Sequence, residues 1–247
     1  MKLSKAWIIA EKDFAIFRKK KSVIHSVVFF PLFVSIGLPL IVQFIGSKSG
    51  GGIPAEALPT VLNAYSLFFI TGAVTLPTAI ASYSLVGEKV QKSIEPLLAT
   101  PTTEREILLG KSIAAFLPPI AAIYMGAVIF MALIDSLTYS TLGYLYFPNW
   151  NMGVIMVLVA PLGSILSIEF DILISSRVSD VRAAQQLGGI VALPFVGIYV
   201  LAETNILSLE SSSNLLIISA SLVAIDVILF YISEAVFRRE KILTKWK

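Results

Sequence analysis

Gly110-Lys111-Ser112 closes the stretch EPLLATPTTEREILLGKS, residues 95–112, and has the form of the tail of a phosphate-binding loop. Such a loop needs the pattern G-x-x-x-x-G-K-[ST] after a buried strand. The first glycine falls at position 105, which is Arg105, and the preceding residues read as a helix start with a capping box at Thr103-x-x-Glu106. No acidic strand end is present to hold magnesium. The expectation is therefore a helix that begins near Thr103, with Gly110 and Lys111 where it meets the membrane, and no nucleotide site in this chain. Other chemistry is scarce. The chain has no cysteine, which excludes disulfides and thiolate metal sites, and one histidine, His25, which cannot build a histidine cluster. There is no H-E-x-x-H and no histidine placed near a serine or an acid pair, so hydrolase chemistry is not expected. The acids Asp226, Glu169 and Asp171 remain. Asp226 lies in the middle of an apolar run, where an unpaired carboxylate costs roughly 2.5–3.5 kcal/mol. It should face the bundle, a cavity or a partner subunit, either as part of a polar path or proton site or as a structural hydrogen-bonded group. Arg177 or His25, at the same membrane level, could neutralise Glu169 or Asp171.

These residues need elements to position them. Of 247 residues 56% are hydrophobic and only 14% charged, against roughly 25% charged in soluble domains. The apolar runs are continuous rather than alternating, which indicates membrane-crossing helices and not a barrel. Six spans are expected, at about Val23–Ile45, Val61–Val86, Ile113–Ile134, Gly153–Ile174, Leu187–Ala202 and Leu215–Phe237, each near the roughly 20 residues needed to cross. The fifth is the shortest, with a possible start at Ala183. Of the 19 lysines and arginines, only Lys48 falls outside the N-terminal segment, the second and fourth loops and the tail. The positive-inside rule then puts both termini and those two loops in the cytoplasm. The outer loops look passive: Ser49-Gly50-Gly51-Gly52 has linker composition. Residues 135–152 carry Tyr139, Tyr144, Tyr146, Phe147 and Trp150, suited to a headgroup belt. Prolines occur in the first five spans and would kink them. The chain reads as one membrane domain, residues 1–247, without a cleavable leader.

Two segments have their own pattern. In residues 1–22, Leu3, Trp7, Ala10, Phe14 and Phe17 draw one apolar stripe on a helix, with Lys5, Lys12 and Lys19 elsewhere on the wheel, as in a helix lying in the interface. In residues 87–112, Gly87-Glu88-Lys89 ends the second span. Residues 92–98 could then make one or two helical turns with Ile94, Leu97 and Leu98 on one side, and Pro101 breaks the chain. An apolar patch framed by charge reads as a docking element.

The order GEKVQKSIEPLLATPTTEREILLGK, residues 87–111, resembles the cytoplasmic signature of ABC-2 type permeases. Glu88, Glu95, Leu97, Leu98, Pro101, Glu106, Gly110 and Lys111 fall on that pattern. Residues 175–194, SSRVSDVRAAQQLGGIVALP, are similar to the fourth loop and fifth span of the same group, and the charged amphipathic start is a looser third match. The resemblance spans essentially the whole chain. It implies an all-α fold of six transmembrane helices, an N-terminal interfacial helix, and a short coupling helix between spans 2 and 3. It further implies pairing with a second permease copy, as homodimer or heterodimer, and binding to a separate soluble ABC ATPase that holds ATP and magnesium. No cofactor is then expected in this chain. The sequence departs from the sterol and drug branch in having no fused ATPase and no large loop between spans 5 and 6.

The resulting expectation is a non-enzymatic permease subunit of an ATP-driven exporter in the plasma membrane, with lipid and protein partners and no nucleic acid. The coupling residues would be Glu88, Ile94, Glu95, Leu97, Leu98, Pro101 and Glu106. A translocation path lined by spans 1, 2 and 5 would run between permease copies, with Asn63, Thr71, Thr75, Tyr83 and Asp226 as polar candidates. The alternatives are a haem-export permease of cytochrome maturation, a proton-coupled secondary transporter using Asp226 and Glu169, and a non-transporting scaffold.

Overall fold

The computed structural model describes residues 3–48, 53–90, 96, 100–203 and 212–236. Every regular element in them is helical, and six helical segments are long and apolar enough to cross a membrane. The chain is an all-α, multi-pass membrane protein. Helix α1 (Leu3–Lys19) precedes span 1, which is α2 (Lys21–Lys48). Span 2 is α3 (Leu58–Val90) and span 3 is α4 (Glu104–Leu142). Span 4 is composite: α5 (Trp150–Val154), a π-helical turn (Ile155–Val159) and α6 (Ala160–Ser175). Span 5 consists of α7 (Val181–Gly188), a 3-10 turn (Gly189–Val191) and α8 (Ala192–Glu203), and span 6 is α9 (Ser212–Val236).

The bundle is built around α3. It packs along α4 and α6 and also touches α2, α7 and α8, while α2 lies on α4 and α9 lies on α6. Close approach needs small residues where van der Waals packing drives association. At Gly126 on α4 an added Cβ would sit 2.8 Å from Ser35 Oγ and 2.9 Å from Pro31 Cβ. The same crossing is tied by Ser35 Oγ, which donates to the Gly126 carbonyl at 2.7 Å. Phe69, Phe130 and Phe147 interlock edge to face, with centroids 5.3 and 5.6 Å apart in turn.

Helix α4 has 39 residues, about 58 Å at 1.5 Å per residue, nearly twice the roughly 30 Å of hydrocarbon. It overruns the expected Ile113–Ile134 at both ends because both ends are capped. Thr103 and Glu106 form the reciprocal capping box, and Gly143, in the left-handed region at φ 77°, donates its N–H to Tyr139 O at 2.8 Å. The far end of α4 therefore absorbs residues expected in the outer loop. Asp135 turns what remains inward by accepting the backbone N–H groups of Tyr146 and Phe147 at 3.0 and 3.1 Å. This corrects the aromatic belt. Tyr139, Tyr144 and Trp150 are exposed, but Phe147 is a core residue at 3% exposure, and Tyr146 donates its hydroxyl to Pro59 O.

Pro161 explains the irregular middle of span 4. Its ring would clash with the carbonyl four residues back, and it has no N–H to donate. The chain widens by one residue into the π turn, in which the Ala160 N–H bonds Ile155 O. In that register the acceptor orphaned by Pro161 is the Met156 carbonyl, and Tyr124 on α4 donates its hydroxyl to it at 2.8 Å. Span 5 also differs from expectation. It starts at Val181, because Asp180 caps α7 by accepting from Ala183 N at 2.9 Å, so Arg182 belongs to the helix rather than the loop.

Candidate functional site

The segment between α3 and α4 is bracketed by a buried ion cluster that also holds α1. Helix α1 buries Ala6, Ile9, Ala10, Asp13 and Phe17, residues three and four apart that share one face. This face is rotated from the predicted stripe. Ala10 and Phe17 are buried and Phe14 packs at the margin, but Leu3 and Trp7 point outward with Ile8. The rotation is set by Asp13, a charge inside the buried face, which has partners on the bundle.

Those partners come from the ends of α3 and α4. Where α1 crosses α4, an added Cβ at Gly110 would lie 2.5 Å from the Ala6 carbonyl oxygen and 2.8 Å from Ile9 Cβ, so only glycine admits the helix. The next residue, Lys111, is 2% exposed. Its Nζ is 2.7 Å from Glu88 Oε2 and 3.6 Å from Asp13 Oδ2, and it donates to Ser84 O at 3.0 Å and Ser84 Oγ at 3.1 Å. Ser84 Oγ donates to Asp13 Oδ2 at 2.5 Å, and Lys12 Nζ reaches Glu88 Oε1 at 2.7 Å. Among the described residues, two cations and two carboxylates from three helices thus meet in one cluster. At the rim, Lys5 donates to the Pro101 carbonyl, and Lys20 lies over the Tyr83 ring, 3.5 Å from its centroid. The Gly110-Lys111 pair that imitates a phosphate loop is a docking point for α1.

The sequence-derived residues can be placed against this frame. Glu88 is in the cluster, Glu106 is buried in the α4 cap, and Pro101 is exposed beside Lys5. Ile94, Glu95, Leu97 and Leu98 lie outside the described residues. Helix α3 runs on to Val90 and α4 starts at Glu104, so the stretch between them is shorter than 87–112. Thr71 and Thr75 lie on a partly open side of α3 and bond the carbonyls of Leu67 and Thr71, four residues back. Asn63 accepts from Asn149 Nδ2 at 3.4 Å. Tyr83 packs edge-on to Phe17 at the α1 junction.

The acids divide. Both Asp171 oxygens accept from Ser82 Oγ, at 2.8 and 3.0 Å. Neither proposed neutralising partner is found with Glu169 or Asp171: Arg177 is exposed, and His25 Nδ1 donates to Lys21 O at 2.6 Å. Sequence reasoning missed the roles of Lys12, Asp13 and Ser84, and read Lys111 as a positive-inside charge, a signature position and the point where the helix meets the membrane, not as a buried ion partner. The available signal was Asp13 itself, an acid in register with Ala6, Ile9, Ala10 and Phe17.

No curated protein matches the chain at a significant level. A family model described as ABC-2 family transporter protein matches residues 7–234, from the first turns of α1 to the last turn of α9. With that match over nearly its whole length, the chain belongs to the ABC-2 family of transporter membrane proteins.

Proposed function

We propose that this protein is the permease subunit of an ATP-driven exporter in the plasma membrane. It forms the translocation path with a second permease copy and takes its motion from a separate ATPase that holds ATP and magnesium. In this reading residues 1–247 form one permease domain, the chain catalyses nothing itself, and both termini are cytoplasmic. The ATPase docks on the segment between α3 and α4, through Ile94, Glu95, Leu97 and Leu98.

The observation that carries the reading is the buried ion cluster. It ties α1, the end of α3 and the start of α4 into one unit around the docking segment. A push on that segment then moves α1 and spans 2 and 3 together, as a coupling device requires, because packed interfaces shift between discrete arrangements rather than deform continuously. The test is co-purification with an ABC ATPase that the wild-type chain captures. Leu97→Asp with Leu98→Asp should abolish co-purification while insertion and yield stay normal; unchanged pull-down rejects the docking site. The proton-coupled alternative has one observation in its favour: Glu169 Oε2 and both Asp226 oxygens are buried with no partner among the described residues. It predicts transport that survives loss of the ATPase and collapses with the proton gradient.

A further inference from the structure

The buried face and the ion cluster fix how α1 is rolled, and that roll leaves an apolar stripe of the helix exposed. Leu3 is 70% exposed and Trp7 51%. With Phe14 and Arg18 they recur at spacings of four, seven and four, which draws one line along the helix. Trp7 meets Phe14 edge to face, with centroids 6.3 Å apart, and Phe14 packs on the bundle core. The stripe therefore borders the buried face on one side.

Its direction follows from the other border. Lys5 donates to the Pro101 carbonyl and Lys12 pairs with Glu88, so that border faces the segment between α3 and α4. At 3.6 residues per turn, Lys5 and Lys12 lie about half a turn round the helix from Leu3, Trp7 and Phe14. A segment joining two consecutive spans stands outside the hydrocarbon, so the stripe on the opposite side faces the bilayer. A helix placed this way, with tryptophan and leucine towards the lipid, lies in the headgroup layer.

Charge selects the lipid. The consecutive residues Arg18-Lys19-Lys20-Lys21 close α1 and open span 1. Lys20 lies over the Tyr83 ring, while Arg18, Lys19 and Lys21 are exposed. The exposed acid of α1 is Glu11, two turns before Arg18 and about 10 Å away along the axis. The junction thus holds a local excess of positive charge at headgroup height. That charge is complementary to a lipid of net negative charge.

We propose that the Leu3, Trp7 and Phe14 stripe, together with Arg18, Lys19 and Lys21, is a docking site for anionic phospholipid, with acyl chains against the stripe and the headgroup phosphate at the cations. The site goes beyond the permease reading by adding a lipid partner. It is tested on the permease alone, so failure here and failure of the ATPase pull-down are separate results.

Trp150→Phe with Trp246→Phe leaves Trp7 as the single tryptophan. The full chain is placed in phosphatidylcholine nanodiscs containing either brominated phosphatidylglycerol or brominated phosphatidylcholine at equal mole fraction, and quenching of Trp7 is followed as that fraction rises. The expected result is quenching by both lipids, half-maximal at a severalfold lower fraction for the anionic one. High salt should shrink this preference. One cation near an anionic surface is worth about fivefold, so Arg18→Gln with Lys19→Gln and Lys21→Gln should abolish it. Thermal midpoint and size-exclusion profile establish that this variant is folded; if it is not, the two-lipid comparison and the salt dependence of the parent chain still decide. Equal quenching by the two lipids, or an unchanged preference in the folded variant, would overturn the proposal and leave a plain interfacial anchor. Quenching by neither lipid would also overturn it, because protein or water would then cover the stripe.

Discussion

Replacing Lys111 by methionine tests the ion cluster directly. Methionine keeps most of the side-chain volume and removes the charge. At an effective dielectric of about 20, Coulomb's law gives about 6 kcal/mol for the 2.7 Å contact to Glu88 and about 5 kcal/mol for the 3.6 Å contact to Asp13. Burying the lysine at 2% exposure cancels much of this, and losing one member of a buried ion group has a net cost of about 3–5 kcal/mol. For a chain of this length about 1 kcal/mol shifts the midpoint by roughly 2–4 °C, so the thermal midpoint should fall by about 6 °C or more. The assay is intrinsic fluorescence during heating in nanodiscs, with Trp7 on α1 as a local reporter. Neutralising the stranded charge in Lys111→Met with Glu88→Gln should recover a large part of the loss, as a double-mutant cycle would register. A wild-type midpoint in Lys111→Met, or a double variant no better than the single, would refute the view that α1 is held by charge.

Three further substitutions probe the packing of α1 and two other features. Gly110→Ala should cost about 1–3 kcal/mol of stability, read as a lower midpoint, because its Cβ meets the Ala6 backbone rather than a yielding side chain; Gly153→Ala, with open space around it, serves as the control. Ser82→Ala removes a donor that both Asp171 oxygens share and should destabilise by about 1–3 kcal/mol, measured by the same melt. Asp135→Ala should speed amide exchange at Tyr146 and Phe147, the two N–H groups it accepts, with α1 unaffected.

The six spans were legible because each is a continuous apolar run, and the start of α4 because its capping box is written in four consecutive positions from Thr103 to Glu106. The rotation of α1 was not. Its apolar residues cover two faces, and choosing the buried one requires knowing that Asp13 meets Lys111, almost a hundred positions away. The inward turn of Phe147 likewise depends on Asp135 capturing its N–H, an arrangement no hydropathy pattern records. Glu169 and Asp226 stood out as acids in apolar runs, but that their helices lie against each other follows only from the packing of α6 on α9.

The π turn at Ile155–Val159 also acts as a phase setter for the rest of span 4. One residue more or less per turn rotates everything downstream by about 100°. Deleting any single residue from this turn would restore plain α-helical geometry and carry Asp171 off the face that meets Ser82. Chain length between Asn149, which caps α5, and Asp171, which meets Ser82, is thus as tightly specified as the identity of the acid itself. Across this stretch, replacing a residue is a milder perturbation than removing one.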